Sequence, residues 1–289
     1  MKKILLTGGQ GFFCTRFYER YKNEYKILST GREDLDITDD IKVMKVFKEF
    51  KPDYVIHAAA IAVTDFCNEH PEIAQKINVD GAINVAKACK DVGAKLVFIS
   101  SEQVFNGNIE NGPYDEGHRP VPNTVYGKNK LEAERLLKDI IDELWIVRFT
   151  WLFGMPEKNL SISSNILWET VVSLLKGEKI YASANEFRGM TYVFEMVENF
   201  KRVFQLPYDT YHMGSYNSMS RYEVVKYILT EMGLSNRVNE ILIKDEEKYK
   251  DFPRDIRLNT KKIEKYGIKF TSTRDGLTKC LKDYRLSLL

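Results

Sequence analysis

The sequence predicts an α/β protein: a doubly wound parallel sheet followed by a smaller mixed α/β lobe. Three observations carry that expectation. Short β-prone apolar runs recur through the first half, at Lys3 to Thr7, Lys26 to Ser29, Tyr54 to Ala58, Leu96 to Ser100 and Trp145 to Phe149. Longer amphipathic stretches such as Ile73 to Val92 separate them, which is the rhythm of parallel strands joined by crossover helices. A glycine turn, Thr7-Gly8-Gly9-Gln10-Gly11, follows the first run directly.

That turn has a mechanical reading. Gly8 lets the chain leave the strand tightly, Gly11 lets backbone amides approach a pyrophosphate, and the positive end of the next helix faces the anion. Gln10, Phe12 and Phe13 border the same cradle. Cys14 occupies the third glycine position of such a fingerprint, where its thiol should hold the helix slightly off the strand in a packing role. With four more strands behind it, the turn predicts a Rossmann nucleotide-binding domain. The second run ends in Ser29-Thr30-Gly31-Arg32. An acidic residue there would hold a ribose diol, whereas the Arg32 guanidinium suits a 2′-phosphate, so NADPH is the expected cofactor and NADH the alternative. In Asp34-Leu35-Asp36-Ile37-Thr38-Asp39, Asp36 is a candidate for the adenine amino group, with Ile37 over the ring. A helix N-cap at Asp36 or Thr38 is the competing reading. Ala58, Ala59 and Ala60 are small enough to let backbone pass close to a cofactor, and a tightly packed strand end is compatible with that.

Gly107 to Pro122, rich in Gly, Asn, charge and the prolines Pro113, Pro120 and Pro122, reads as a loop over the site. Beyond it come Tyr126 and Lys130. Positions i and i+4 share a helix face, so the ammonium can stabilise the phenolate of a tyrosine whose free pKa of about 10 makes it a sluggish acid. After about Gly154 the alternation becomes irregular. Helices are expected at Ile166 to Lys176, Val193 to Phe204 and Arg221 to Gly233, with β-like fragments near Lys179 to Ala182 and Tyr211 to Met213. The expected division is 1–154 for the cofactor domain and 155–289 mainly for a substrate lobe, with some segments returning to the first. The charge-dense run Lys244 to Asp251 reads as a solvated loop.

Composition narrows the function classes. The 289 residues suit one large α/β domain or one with a smaller lobe. A net charge of +2 falls short of a duplex-binding protein and is compatible with an anionic small substrate. Neither a secretion-signal pattern nor an apolar run of bilayer length is present, so a cytoplasmic protein without nucleic-acid or membrane partners is expected. Cys14, Cys67, Cys89 and Cys280 show no Cys-x-x-Cys spacing and the four histidines do not join them, which predicts reduced thiols and no metal site.

Taken in order, the glycine turn, Leu35 to Asp39, His57 to Ala60, Ser100 to Gly107, Val125 to Glu132 and Arg148 to Gly154 resemble the extended short-chain dehydrogenases/reductases. Within them the chain is most similar to dTDP-4-dehydrorhamnose reductases, through Arg221 to Glu223, Pro253-Arg254 and Arg257 to Asn259. The resemblance implies a Ser-Tyr-Lys catalytic set, which maps onto Ser101, Tyr126 and Lys130. It also implies a nucleotide-linked sugar substrate, a small C-terminal sugar-nucleotide lobe and room for a homodimer. In the chemistry expected, Ser101 orients a ketone, Tyr126 protonates the alkoxide, and Lys130 binds the nicotinamide ribose while lowering the tyrosine pKa. Glu102, Trp151, Asn165, Arg188 and Arg254 form the expected substrate set. Trp151 is a candidate wall of the sugar site with core packing as the alternative; Arg188 and Arg254 are candidates for a diphosphate with ion pairing as the alternative.

Departures from the reductase pattern concern the substrate. Glu102 and Gln103 stand where the reductases have Asp and Tyr, Ile61 to Asp65 replaces a His-Thr-Ala-Val-Asp segment, and Asn185 to Thr191 has lost a proline and gained Arg188. Two other functions are weighed. An NAD-dependent sugar-nucleotide epimerase or dehydratase shares the motifs, although Gln103 occupies the second place of the carboxylate pair a dehydratase needs. A noncatalytic NADP-binding regulatory subunit is the other, because the regulatory beta subunit of methionine adenosyltransferase has a similar overall pattern and an arginine-containing loop resembling Phe187-Arg188.

Overall fold

The computed structural model describes residues 1–287. The first part of the chain forms β1 (Lys3–Thr7), α1 (Phe12–Tyr21), β2 (Lys26–Thr30), α2 (Asp40–Phe50), β3 (Tyr54–His57), α3 (Thr64–Glu69), α4 (Pro71–Gln75), α5 (Gly81–Val92), β4 (Lys95–Ser101), α6 (Val125–Ile140) and β5 (Leu144–Phe149). The second part continues with β6 (Trp151–Phe153), α7 (Ile166–Lys176), β7 (Ile180–Ser183), β8 (Glu186–Phe187), β9 (Met190–Tyr192), α8 (Val193–Phe200) and β10 (Thr210–Met213). It ends with α9 (Arg221–Glu231), α10 (Val238–Ile241), β11 (Leu242–Asp245), β12 (Arg254–Asp255), α11 (Lys261–Glu264) and α12 (Thr273–Asp283).

Six strands make one sheet in the order β10-β5-β4-β3-β1-β2. The pairs β1-β2, β1-β3, β3-β4 and β4-β5 are parallel, so the doubly wound α/β fold is present and its strand ends gather at one edge. One face is sealed by α2, α5 and α6. Phe47, Val85, Ala86, Ala133 and Leu137 bury against Leu5, Val55, Leu96, Phe98 and Ile146 in one cluster. The Tyr211–Met213 fragment, expected as an isolated β-like piece of the lobe region, belongs to β10 at the edge of this sheet. All four β10 residues are buried.

The chain divides into two compact units. The first comprises 1–108, 119–149 and 201–211, and the second 109–118, 150–200 and 212 onward. Within the second, β6 pairs β9, β7 pairs β11 and β8 pairs β12, each in parallel. Two local expectations need correction. Lys244 and Asp245 are not in a loop: they extend β11, opposite Ala182 and Ser183, because the apolar Leu242-Ile243 just upstream carries the strand into the charged run. The cap of α2 is neither Asp36 nor Thr38 but Asp39, whose carboxylate accepts from the Lys42 N–H at 3.0 Å.

The expected helix from Ile73 to Val92 is built as α4 and α5 joined by a π turn at Lys76–Asp80. Such a turn widens the backbone by one residue, and here it presents buried Asn78. Asn78 Oδ1 accepts from Ile61 N–H at 2.8 Å and its Nδ2 donates to Ile61 O at 3.0 Å, which pins the chain just after it leaves β3.

Candidate active site

The glycine turn is a cradle that no side chain could fill. Gly8 has φ +71, and a Cβ there would lie 2.6 Å from Ala59 N and 2.7 Å from Ala59 Cα. The turn is tied by Gly11 N–H to Gly8 O at 2.9 Å and Gly9 N–H to Thr30 O at 2.8 Å. Gly11 caps α1 without a side-chain hydrogen bond, so the first turn of a ten-residue helix has no capping group of its own. An anion completes such a turn.

The rings of Phe12 and Phe13 are buried, which limits their part in the cradle to backbone. The Arg16 guanidinium lies 4.2 Å from the Phe12 ring, and Phe13 packs on Phe17 and Phe149. Burial pushes the Cys14 thiol up to about 12, which leaves it a packing group.

Beside the cradle, a Cβ on Gly31 would meet the Gln10 side chain at 2.6 Å, and Arg32 is exposed just past β2. The two residues expected at the adenine are occupied otherwise. Asp36 Oδ1 accepts from Thr38 N–H at 2.9 Å and Thr38 Oγ1 at 2.8 Å, which holds its carboxyl below the usual range. Ile37 is a core residue seated against Gly81, where an added Cβ would come within 2.6 Å of it.

Ser101, Tyr126 and Lys130 all lie in the first unit. Ser101 ends β4 and caps the 3-10 turn Glu102–Phe105, its Oγ accepting from Gln103 N–H at 3.2 Å. That leaves the hydroxyl hydrogen available to donate. Thr124 caps α6 by accepting from Gly127 N–H at 3.1 Å, which sets Tyr126 in the first helical turn. Gly127 explains how closely this helix meets the Ser101 turn, since a Cβ there would lie 2.5 Å from Gln103 O.

Tyr126 is half-buried and Lys130 is buried. The i, i+4 spacing predicts the ammonium near the phenol ring, and Lys130 Nζ lies 5.9 Å from its centroid. Its hydrogen bond, however, goes to Ile99 O at 2.8 Å, and it sits 4.6 Å from the Phe98 centroid. Burial lowers its pKa to about 8, with Glu134 opposing the fall. His57, on β3, shares Phe98 as a stacking partner and bonds Thr7 Oγ1 through Nδ1 at 2.6 Å. Burial first, then Lys130, lowers its pKa to about 3, so it is neutral.

The expected substrate residues do not form one group. Glu102 is fully buried beside Ser101 in the first unit. Asn165 is also fully buried, and its Oδ1 caps α7 by accepting from Trp168 N–H at 3.1 Å while Nδ2 donates to Ser163 O at 2.9 Å. The remaining three meet in the second unit. The Arg188 guanidinium lies 4.6 Å from the Trp151 ring, and Arg254 forms a close ion pair with buried Glu186. Arg221 joins them, 5.5 Å from Trp151, 3.5 Å from Glu186 and 3.2 Å from Glu169. Burial pushes the Glu186 carboxyl up, but Arg254, Arg221 and Arg188 together hold it below its ordinary value. Sequence reasoning did not single out Glu186 or Arg221 as site residues, because neither sits in a spacing that announces a partner. Glu134 was within reach, four residues beyond Lys130 on the same helical face.

The RmlD substrate binding domain model matches residues 1–286. The chain belongs to the RmlD substrate binding domain family. Spore coat polysaccharide biosynthesis protein SpsK of Bacillus subtilis is 27% identical over 285 residues, 98% of either chain. Methionine adenosyltransferase 2 subunit beta of Xenopus laevis is 28% identical over 281 residues, 92% of this chain and 83% of that one. The crystal structure of dTDP-4-dehydrorhamnose reductase from Bacillus anthracis in complex with NADP is similar with a TM-score of 0.86 at 27% identity, covering 98% of this chain and 100% of that one. Relatives of this RmlD-family chain thus include an oxidoreductase and a subunit of a transferase.

Proposed function

We propose that this protein is an NADPH-dependent reductase of a nucleotide-linked 4-keto-6-deoxy sugar, similar to dTDP-4-dehydrorhamnose reductase. The observation that carries the reading is the meeting of the Ser101 turn with the first turn of α6, pressed together at Gly127 and Gln103 O. The cradle fits a dinucleotide: Gly8 excludes a side chain and the start of α1 lacks a capping one. Gly8, Gly11 and the Phe12 and Phe13 amides would hold the pyrophosphate, Arg32 the 2′-phosphate, and Ala58 to Ala60 the flank of the cofactor, with Gln10 at the turn. The likeness to an NADP-bound reductase supports this choice.

Bound NADPH supplies the hydride. The chain supplies the rest. Ser101 donates its hydroxyl hydrogen to the substrate carbonyl oxygen, where negative charge develops. Tyr126 passes its phenolic proton to that oxygen, and Lys130, beside the ring, stabilises the phenolate left behind and holds the ribose. Within the second unit, Trp151 and Arg188 are the residues proposed for the sugar nucleotide. Arg221 and Arg254 share the balancing of Glu186, so their first role is to fix that group.

The test mixes protein, NADPH or NADH and a panel of nucleotide-linked keto sugars and follows the absorbance of the reduced cofactor. Net oxidation with one of them is expected, faster with NADPH. A second reading, a noncatalytic NADP-binding subunit, is favoured by the likeness to methionine adenosyltransferase 2 subunit beta. Tight NADPH binding with no oxidation across the panel would replace the first reading by the second.

A further inference from the structure

Tyr126, Lys130 and Glu134 stand at i, i+4 and i+8 of α6 and share one face. Glu134 is buried. Its Oε1 accepts from Ser100 Oγ at 2.5 Å and Arg148 Nε at 2.9 Å, and its Oε2 from Arg148 Nη2 at 2.6 Å. Ser100 and Arg148 are direct partners in the β4-β5 ladder, so a single carboxylate ties the helix to both strands at one rung. The next rung pairs Ser101 with Phe149. The clamp therefore lies one residue from the proposed carbonyl-orienting hydroxyl and one helical turn from Lys130.

The surroundings of Lys130 give the carboxylate a second consequence. From β4 it meets the neutral Ile99 carbonyl and the Phe98 ring, from β3 the neutral His57, and from its own helix Tyr126 and Glu134. Arg148 on β5 is bound to Glu134. Glu134 is the negative charge that favours the ammonium.

We infer that Glu134 is a positioning residue for the proposed reduction. Held at the Ser100–Arg148 rung, it fixes the phase of α6 so that Tyr126 and Lys130 meet Ser101, and it supplies the negative charge that the buried ammonium otherwise lacks. The inference rests on the reductase reading for the reaction it serves, though not for the electrostatic link itself.

The experiment follows Lys130 directly, by NMR of protein labelled at the lysine Cε carbons, with Lys130→Met assigning the signal. Wild type is compared with Glu134→Gln and with Glu134→Gln/Arg148→Met, which also removes the stranded guanidinium and so keeps the protein foldable. Glu134→Gln loses the carboxylate and leaves Arg148 charged, so the Lys130 midpoint should fall by roughly one pH unit; in the double variant the lost guanidinium offsets part of this and the fall should be smaller. The alkaline limb of kcat/KM should fall with it. A role confined to packing predicts an unchanged midpoint in both variants, and that result would overturn the inference. If wild type reduces none of the keto sugars while the midpoints move as expected, the reductase reading falls and the Glu134–Lys130 link stands.

Discussion

Lys130 in the first unit and Glu186 in the second are both buried ions, and the chain answers them in opposite ways. Lys130 finds a neutral carbonyl, two aromatic rings, a neutral histidine and one carboxylate already committed to Arg148. Its pKa falls to about 8, within reach of neutral pH. Glu186 finds Arg254 and Arg221 in ion pairs, with Arg188 adding to them, and stays firmly charged. A cation kept short of compensating charge is a group poised to respond to a ligand or a neighbouring proton. A carboxylate surrounded by guanidinium groups is a fixed strut that leaves surplus positive charge around Trp151. The contrast separates a responsive region from a rigid, electropositive one.

The largest expected effect tests whether the responsive region is the reactive one. Tyr126→Phe removes one hydroxyl from a half-buried ring and should lower turnover by about 10² to 10⁴, the usual worth of a positioned acid, while a direct NADPH titration stays near wild type. Full turnover in this variant would sink the mechanism. On the other side of the comparison, Glu186→Gln strands guanidinium groups around a buried neutral amide and should cost about 3–5 kcal/mol of stability by urea denaturation. A loss below about 1 kcal/mol would mean that water already compensates these arginines, and the contrast would lose its second half.

The same division governs what could be read from sequence. Strands announce themselves by runs of apolar residues, so β1 through β5 were legible almost residue for residue, as was α7. Local geometry was legible too, because the positive φ of Gly8 and the shared face of Tyr126 and Lys130 depend on neighbours within a few positions. Much of what escaped depends on chain-distant partners. Ile37 reads as a ring cover until Gly81, on α5, shows it belongs to the core. Asp36 differs in kind, since its carboxylate accepts from Thr38 only two residues on, a local turn that competes with a ligand role. Glu186 and Arg254 are 68 residues apart, and no periodicity links them. β11 was hidden because charge density outweighed the two apolar residues that start it.

A third prediction turns on the sign of the Lys130 shift. Its pKa is about 8 in the folded chain against 10.5 for a lysine in water, so between those values the unfolded chain binds more protons and stability rises with pH. Below pH 8 the buried ammonium carries its full penalty. That difference corresponds to roughly 3 kcal/mol, and losing the Ile99 hydrogen bond returns about 1 kcal/mol of that. Lys130→Met should therefore stabilise the protein by roughly 2 kcal/mol at pH 7, with the gain shrinking toward pH 10, while cofactor affinity and turnover both fall. Thermal melts at several pH values check the first part and steady-state kinetics the second. A destabilised Lys130→Met at pH 7 would place Lys130 with Glu186 among the fixed struts.

The smallest expected effect concerns a charge that neither region buries. Arg32 is exposed just beyond β2, so its environment is close to water and its replacement should leave stability within about 0.5 kcal/mol of wild type. Its proposed work is confined to the 2′-phosphate, where a guanidinium makes charge-assisted hydrogen bonds that a carboxylate would replace with repulsion. Arg32→Asp should weaken NADPH by roughly tenfold, because the contact is solvent-screened, and leave NADH nearly unchanged. Titrating both cofactors at two salt concentrations measures this, and the NADPH loss should shrink as salt rises. Equal losses for the two cofactors would mean that Arg32 acts through the shape of the Gly31 turn. The 2′-phosphate would then have to be held by other residues, and the cofactor preference would need a different cause.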